Sequence, residues 1–123
     1  MKKVLIVEDE IAYAKLLNDE LTASGYQVIT TDNGEKGLEI AKKELPDLIL
    51  LDIRLPKMSG MDLLDALRKD LNAKSTKIII LTNLEPDDKI IGEILKDQPA
   101  YYFIKSNIKL NELKDKIKEV VFE

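Results

Sequence analysis

The chain has 123 residues, 45% of them hydrophobic and 34% charged, the make-up of one ordinary globular domain rather than of a disordered, collagen-like or rod-like chain. It contains neither cysteine nor histidine, so disulfides, thiolate metal sites and Ser-His nucleophilic catalysis are excluded, and any chemistry must rest on carboxylates, hydroxyls, Lys and Arg. A net charge of −4 opposes a direct hold on nucleic acid, and the N-terminal run Val4-Leu5-Ile6-Val7, closed by Glu8 and Asp9, is too short for a signal peptide or a membrane span, which points to the cytoplasm.

Taken in chain order, the first apolar run, Val4 to Val7, reads as a strand, and Ile11, Ala14, Leu17 and Leu21 then recur at helical spacing before Gly25 stops them. Val28-Ile29 marks a second strand, and Leu38, Ala41 and Leu45 a second helix that Pro46 ends. Leu48 to Leu51 is a third strand. The third helix opens at Ser59-Gly60-Met61-Asp62, a capping-box-like start, and sets Leu63, Leu64, Leu67 and Leu71 on one side. Ile78 to Leu81 is a fourth strand, followed by a helix with Pro86 near its start, Asp87 and Asp88 in its first turn, and Ile90, Ile91, Ile94 and Leu95 as its stripe. Tyr101 to Ile104 is a fifth strand, and a last helix from about Leu110 buries Leu113, Ile117, Val120 and Val121. On that helix Lys109, Lys114, Lys116 and Lys118 are interleaved with Glu112, Asp115 and Glu119, which describes a solvated face rather than a nucleic-acid patch. Continuous Val- and Ile-rich runs suggest strands buried on both faces. Strict β-α alternation predicts an α/β fold with a five-stranded parallel sheet flanked by five helices, as a single domain over residues 1–123 with no effector domain attached.

In open parallel α/β sheets the ligand site lies beyond the carboxyl ends of the strands. Those ends carry Glu8 and Asp9 after the first run, Asp52 after the third, Thr82 at the fourth and Lys105 after the fifth. Carboxylates gathered at one rim repel, and a divalent cation relieves them; Mg²⁺ suits Glu8, Asp9 and Asp52, with the main-chain carbonyl of Arg54, just past Asp52, as a further candidate. The set also suits phosphoryl transfer: Asp52 attacks, Lys105 neutralises phosphoryl oxygens and Thr82 donates a hydrogen bond to one of them. Singly, each residue has a plainer reading, as a first-turn acid, a turn residue, a β-branched strand residue or a solvated charge. Together at one rim they are better explained as a site.

Glu8-Asp9, the segment Asp52-Ile53-Arg54-Leu55-Pro56-Lys57-Met58-Ser59-Gly60, Leu81-Thr82 and Tyr102-Phe103-Ile104-Lys105 together resemble the receiver domains of bacterial two-component response regulators, a family that includes the chemotaxis regulator. The resemblance spans essentially the whole chain and implies the strand order 2-1-3-4-5. It implies that Asp52 receives a phosphoryl group from a phosphohistidine on a sensor histidine kinase or a histidine phosphotransfer protein, in a Mg²⁺-dependent reaction. The protein would then be a switch that promotes its own phosphorylation and dephosphorylation, not an enzyme acting on a separate substrate. It further implies that Thr82 moves inward, that Tyr102 rotates into the vacated space, and that the surface of the fourth helix, fifth strand and fifth helix changes its preference for a downstream protein. The sequence leaves open what that protein is, and whether modification pairs two copies as a homodimer.

Three positions depart from the family pattern: Ser106 follows Lys105 where most receivers have Pro, Asn83 stands where a very small residue is usual, and Arg54 lies where side chains screen or admit water. Rival α/β chemistries fit less well. The P-loop pattern is missing, Glu8 and Asp9 repel the phosphate that a flavodoxin-like site would bind, and Arg54 occupies the place of the second Asp of a haloacid-dehalogenase-type phosphatase.

Overall fold

A computed structural model describes residues 1–122. The elements alternate without exception: β1 (Lys3–Val7), α1 (Ile11–Ala23), β2 (Gln27–Thr31), α2 (Gly34–Glu44), β3 (Leu48–Leu51), α3 (Gly60–Arg68), β4 (Ile78–Thr82), α4 (Asp88–Asp97), β5 (Tyr101–Ile104) and α5 (Leu110–Phe122). All five strands are parallel, in the order β2-β1-β3-β4-β5. The order reverses between β1 and β3, and a crevice opens at such a reversal because the loops after the two strands leave toward opposite faces of the sheet.

The period-two geometry of the strands divides the core. Val4, Ile6, Leu50, Ile79 and Leu81 face α1 and α5, meeting Leu17, Leu21, Leu113 and Ile117. Leu5, Val7, Ile49, Leu51, Ile78 and Ile80 face the other way, against Ala41 of α2 and Leu63, Leu64 and Leu67 of α3. Burial on both faces explains why β1, β3 and β4 are continuous apolar runs. The edge strands differ from that expectation: β2 and β5 are only partly buried, since each has a neighbour on one side alone.

Three caps set helix starts. The side chains of Asn33, Ser59 and Asp87 accept hydrogen bonds from the Lys36, Asp62 and Ile90 amides at 2.8, 3.2 and 2.9 Å. Asp87 is therefore the cap of α4 rather than a first-turn residue. At three places the apolar stripes run past the faces that the helices bury. Ile11 opens α1 and is exposed; Leu45 is the left-handed residue that closes α2 ahead of Pro46 and is half-exposed. Leu71 lies beyond α3 and is 85% exposed, because Asp70 Oδ1 accepts from the Asn72 and Ala73 amides at 2.9 Å each and turns the chain away. The apolar stripe of α4 is only half used: Ile90 and Ile94 are partly buried, whereas Ile91 and Leu95 are exposed.

Candidate functional site at the carboxyl ends of β1, β3, β4 and β5

Two of the site acids continue the ladders by one residue. The Glu8 amide donates to Thr31 O at 3.0 Å and the Asp52 amide to Val7 O at 3.1 Å, so both side chains leave from rigid backbone at the centre of the sheet. Both are buried, at 4% and 5% exposure. Lys105 follows β5, whose ladder is extended by its amide donating to Thr82 O at 2.8 Å. Its buried ammonium lies 2.6 Å from Glu8 Oε1, 2.7 Å from Glu10 Oε1 and 2.9 Å from Asp52 Oδ2. The Tyr13 ring of α1 lies beneath it, with Nζ 4.9 Å from the ring centroid.

The structure thus brings together Glu8, Asp52 and Lys105 as expected and adds Glu10. One carboxylate oxygen each from Glu8, Glu10 and Asp52 lie within 4.8 Å of one another. Asp9 is exposed and outside that trio. The backbone shows why. Glu10 is still extended at φ −76° and ψ 104°, and in extended chain residues i and i+2 share a side, so Glu8 and Glu10 both reach Lys105. Glu10 is also the cap residue of α1, yet its side chain makes no cap hydrogen bond and reaches Lys105 instead. Its amide donates to Glu8 Oε2 at 3.0 Å. The signal for Glu10 was present in the unbroken acidic triplet Glu8-Asp9-Glu10; the Tyr13 contact, a turn later on α1, had no comparable cue.

Electrostatically, three carboxylates face one ammonium. Burial is the largest effect on Glu8 and pushes its carboxyl above the usual range. The Lys105 hydrogen bond and the Glu10 amide oppose it, and the Asp52 charge adds to the rise. For Lys105 burial alone would favour the neutral amine, but hydrogen bonds to Glu10, Glu8 and Asp52 outweigh it and hold the proton more tightly than in a free side chain. An excess of two negative charges in a partly desolvated rim, on hard oxygen donors only, matches the charge and ligand type of a divalent cation such as Mg²⁺.

The remaining site residues line the same rim. The Arg54 amide donates to Asp52 Oδ1 at 3.3 Å, so the chain turns immediately past Asp52 and brings the Arg54 backbone near it, with the Arg54 residue exposed. Thr82 is 1% exposed, and its Oγ1 accepts from the Leu84 amide at 3.3 Å. Tyr102 is half-buried and its hydroxyl donates to Leu84 O at 2.6 Å; burial first, and nearby acids second, push that phenol's pKa up. Every peptide bond among the described residues is trans, that between Lys105 and Ser106 included.

Doubly wound topology with acids beyond β1 and β3 and a lysine beyond β5 defines a chemotaxis-regulator-like α/β domain. The model of one family, described as the response regulator receiver domain, matches residues 4–118, and the chain belongs to that family. Its members are signalling switches of two-component systems. Among curated relatives, a probable transcriptional regulator ycf27 of Porphyra purpurea is 42% identical over 92 residues, covering 74% of this chain and 37% of that protein. The polar-differentiation response regulator DivK of Brucella anthropi is 42% identical over 81 residues, covering 66% of each. The chain therefore spans about a third of the length of the ycf27 relative. Among solved structures, a CheY-like receiver domain protein from Methanospirillum hungatei superposes with a TM-score of 0.89 at 29% identity, covering 99% of this chain and 94% of that one. Vibrio cholerae chemotaxis protein CheY4 gives a TM-score of 0.86 at 28% identity over 98% of both chains. No helix among the described residues is long and apolar enough to cross a membrane.

Proposed function

We propose that Asp52 is the phosphoacceptor of this receiver domain and that Lys105 and Thr82 stabilise the transferred group. The observation that carries this reading is the 2.9 Å contact between Lys105 Nζ and Asp52 Oδ2 in a buried rim, which joins two residues 53 positions apart. An Asp52 oxygen forms the new O–P bond while the N–P bond of a phosphohistidine breaks, and the leaving imidazole is neutral after taking up a proton. These 123 residues hold no histidine, so the donor phosphohistidine lies outside them, on a sensor kinase or a histidine phosphotransfer protein. Asp52, Glu8 and Glu10, with Asp9 and the Arg54 carbonyl as further donors, would hold Mg²⁺, whose charge neutralises phosphoryl oxygens.

Lys105 supplies positive charge where the phosphoryl oxygens gather, and the Thr82 hydroxyl, which accepts from Leu84, still has its own proton to donate. The acyl phosphate so formed is open to hydrolysis, which resets the carboxylate. The added charge of about −1.5 to −2 draws Thr82 and the segment after β4 inward, and Tyr102, bonded to Leu84 O, follows. The face of α4, β5 and α5 then presents a different surface to a downstream protein, or to a second copy of the chain.

Incubation with acetyl phosphate and Mg²⁺, followed by intact-mass measurement, should show a single phosphoryl increment, stable in acid and labile in base, that Asp52→Asn abolishes. An unmodified wild-type chain would point instead to a binding module that works without phosphorylation, and the reading would be withdrawn.

A further inference from the structure

Two of the departures from the family pattern meet in space. Where most receivers have a proline, which lacks an N–H, Ser106 has one, and it donates to Asn83 Oδ1 at 3.1 Å. Asn83 immediately follows Thr82, and Ser106 immediately follows Lys105, so this single bond ties together the neighbours of two site residues.

It is one of three consecutive ties between the end of β4 and the end of β5. Thr82 O accepts from the Lys105 amide at 2.8 Å, Asn83 Oδ1 from the Ser106 amide, and Leu84 O from the Tyr102 hydroxyl at 2.6 Å. The first belongs to the sheet ladder and the third to the aromatic residue of the switch. The middle one is made by an exposed side chain to an exposed amide, beyond the last register pair of β4 and β5, Thr82 with Ile104. It is not part of the sheet ladder. Together with the turn bond from the Asn107 amide to Ile104 O at 2.9 Å, it ties the turn that carries Lys105 to the first residue of the β4–α4 segment, next to Thr82.

We propose that Asn83 and Ser106 form a latch that positions Lys105 and Thr82 for phosphoryl transfer, with Asn83 acting as a positioning residue through its acceptor oxygen rather than through its bulk. The proposal rests on the phosphoacceptor reading above. It takes a residue whose size alone would crowd the site and assigns it a hydrogen-bonding role, coupled to the amide that proline would have removed.

Bond and bulk separate by substitution. Asn83→Ala removes both, Asn83→Leu keeps the bulk without the acceptor, and Asn83→Asp keeps an acceptor oxygen in place. The rate constant for modification by acetyl phosphate at saturating Mg²⁺ should fall about three- to tenfold in Asn83→Ala and Asn83→Leu alike, the range that one hydrogen bond can supply, and stay within about twofold of wild type in Asn83→Asp. The Ser106 amide proton, followed by NMR, should lose its exchange protection in the first two variants and keep it in the third. A merely structural contribution would lower the thermal midpoint of Asn83→Ala and Asn83→Leu while leaving all three modification rates at the wild-type value. A wild-type rate in Asn83→Leu would assign the effect to bulk, and unchanged rates in both Asn83→Ala and Asn83→Leu would remove the latch from the mechanism; either result overturns the proposal. Failure of the underlying reading looks different, because the wild-type chain itself would then take up no phosphoryl group.

Discussion

Replacing Lys105 with methionine keeps most of the apolar stem and deletes an ammonium that lies 2.6 to 2.9 Å from three carboxylates. Glu10 is largely exposed and regains water, but Glu8 and Asp52 are buried and are left facing each other. Removing one partner from a buried ion pair costs about 3–5 kcal/mol, and a rim that Glu10 keeps open to water belongs at the low end, about 3 kcal/mol. At about 4 °C per kcal/mol for a domain of this size, that is a fall of about 12 °C in Tm. Asp52→Asn makes the opposite change: one of the three acids loses its charge, Lys105 keeps Glu8 and Glu10, and the repulsion that helps raise the Glu8 pKa is relieved, so stability stays within about 1 kcal/mol of wild type. In the Lys105→Met chain the lowering influence of the ammonium is gone, so Glu8 binds its proton still more tightly folded than unfolded. A carboxyl raised in this way adds stability at acid pH and loses it as the pH rises through its folded value. The deficit of Lys105→Met is therefore full at neutral pH and shrinks toward about pH 4.5. Urea denaturation of the three chains in a chelator, at both pH values, measures it, and adding Mg²⁺ should restore part of the neutral-pH loss. The charge argument is refuted if the two variants are equally stable at neutral pH, or if the Lys105→Met deficit is the same at both.

Gly60 opens α3 within the loop after Asp52, and a Cβ there would lie 2.1 Å from Asp52 O and 2.8 Å from Ile53 Cα, both backbone atoms that cannot rotate aside. Gly60→Ala should cost about 2–3 kcal/mol and slow modification of Asp52, read by urea midpoint and by intact mass. Asp97, which closes α4, is buried, and its Oδ2 finds no hydrogen-bond partner among the described residues; burial first, and the Asp65 carboxylate next, push its pKa up. That rise adds stability at acid pH and forfeits it as the pH climbs, so Asp97→Asn should raise the urea midpoint at neutral pH and leave it nearly unchanged at about pH 4. A lower midpoint at neutral pH would mean that the charge is compensated after all.

The sheet was legible because strands buried on both faces cannot hide: Val4 to Val7, Leu48 to Leu51 and Ile78 to Leu81 have no other stable use in a chain this polar elsewhere. The strand order was not in the pattern and came with the family resemblance. Helix ends depart from the apolar spacing where short-range polar chemistry overrides it, as at Leu71, which continues the stripe of α3 but follows an Asp70 that captures two amides. At the rim, residue types at strand ends sufficed for Asp52 and Lys105, since parallel strands deliver their ends to one side. What they could not supply was side-chain direction one step past a strand. Asp9 and Glu10 are chemically equivalent candidates, and only the extended backbone through Glu10 turns the latter toward Lys105. The pairing of Asn83 with Ser106 was equally invisible, because neither departure explains the other until both loops are seen together.

The size of these ties bears on how a switch of this kind would work. Each hydrogen bond between the end of β4 and the end of β5 contributes about 0.5–1.5 kcal/mol net, whereas coupling between a modified site and a remote surface is typically about 1–3 kcal/mol. A phosphoryl group on Asp52, as proposed, would have enough coupling energy to break and remake one or two of the three ties, but not to unpick the sheet beneath them. Of the three, the Thr82–Lys105 tie is anchored in the ladder, so the adjustable ones are Asn83 to Ser106 and Leu84 to Tyr102. Both lie between Thr82 and the start of α4, so a displacement of Thr82 by one hydrogen-bond length would reach the segment that Asp87 caps through them. A receiver with proline after its lysine would have to transmit the same displacement with the middle tie missing, and here that tie sets how firmly the two loops move as one.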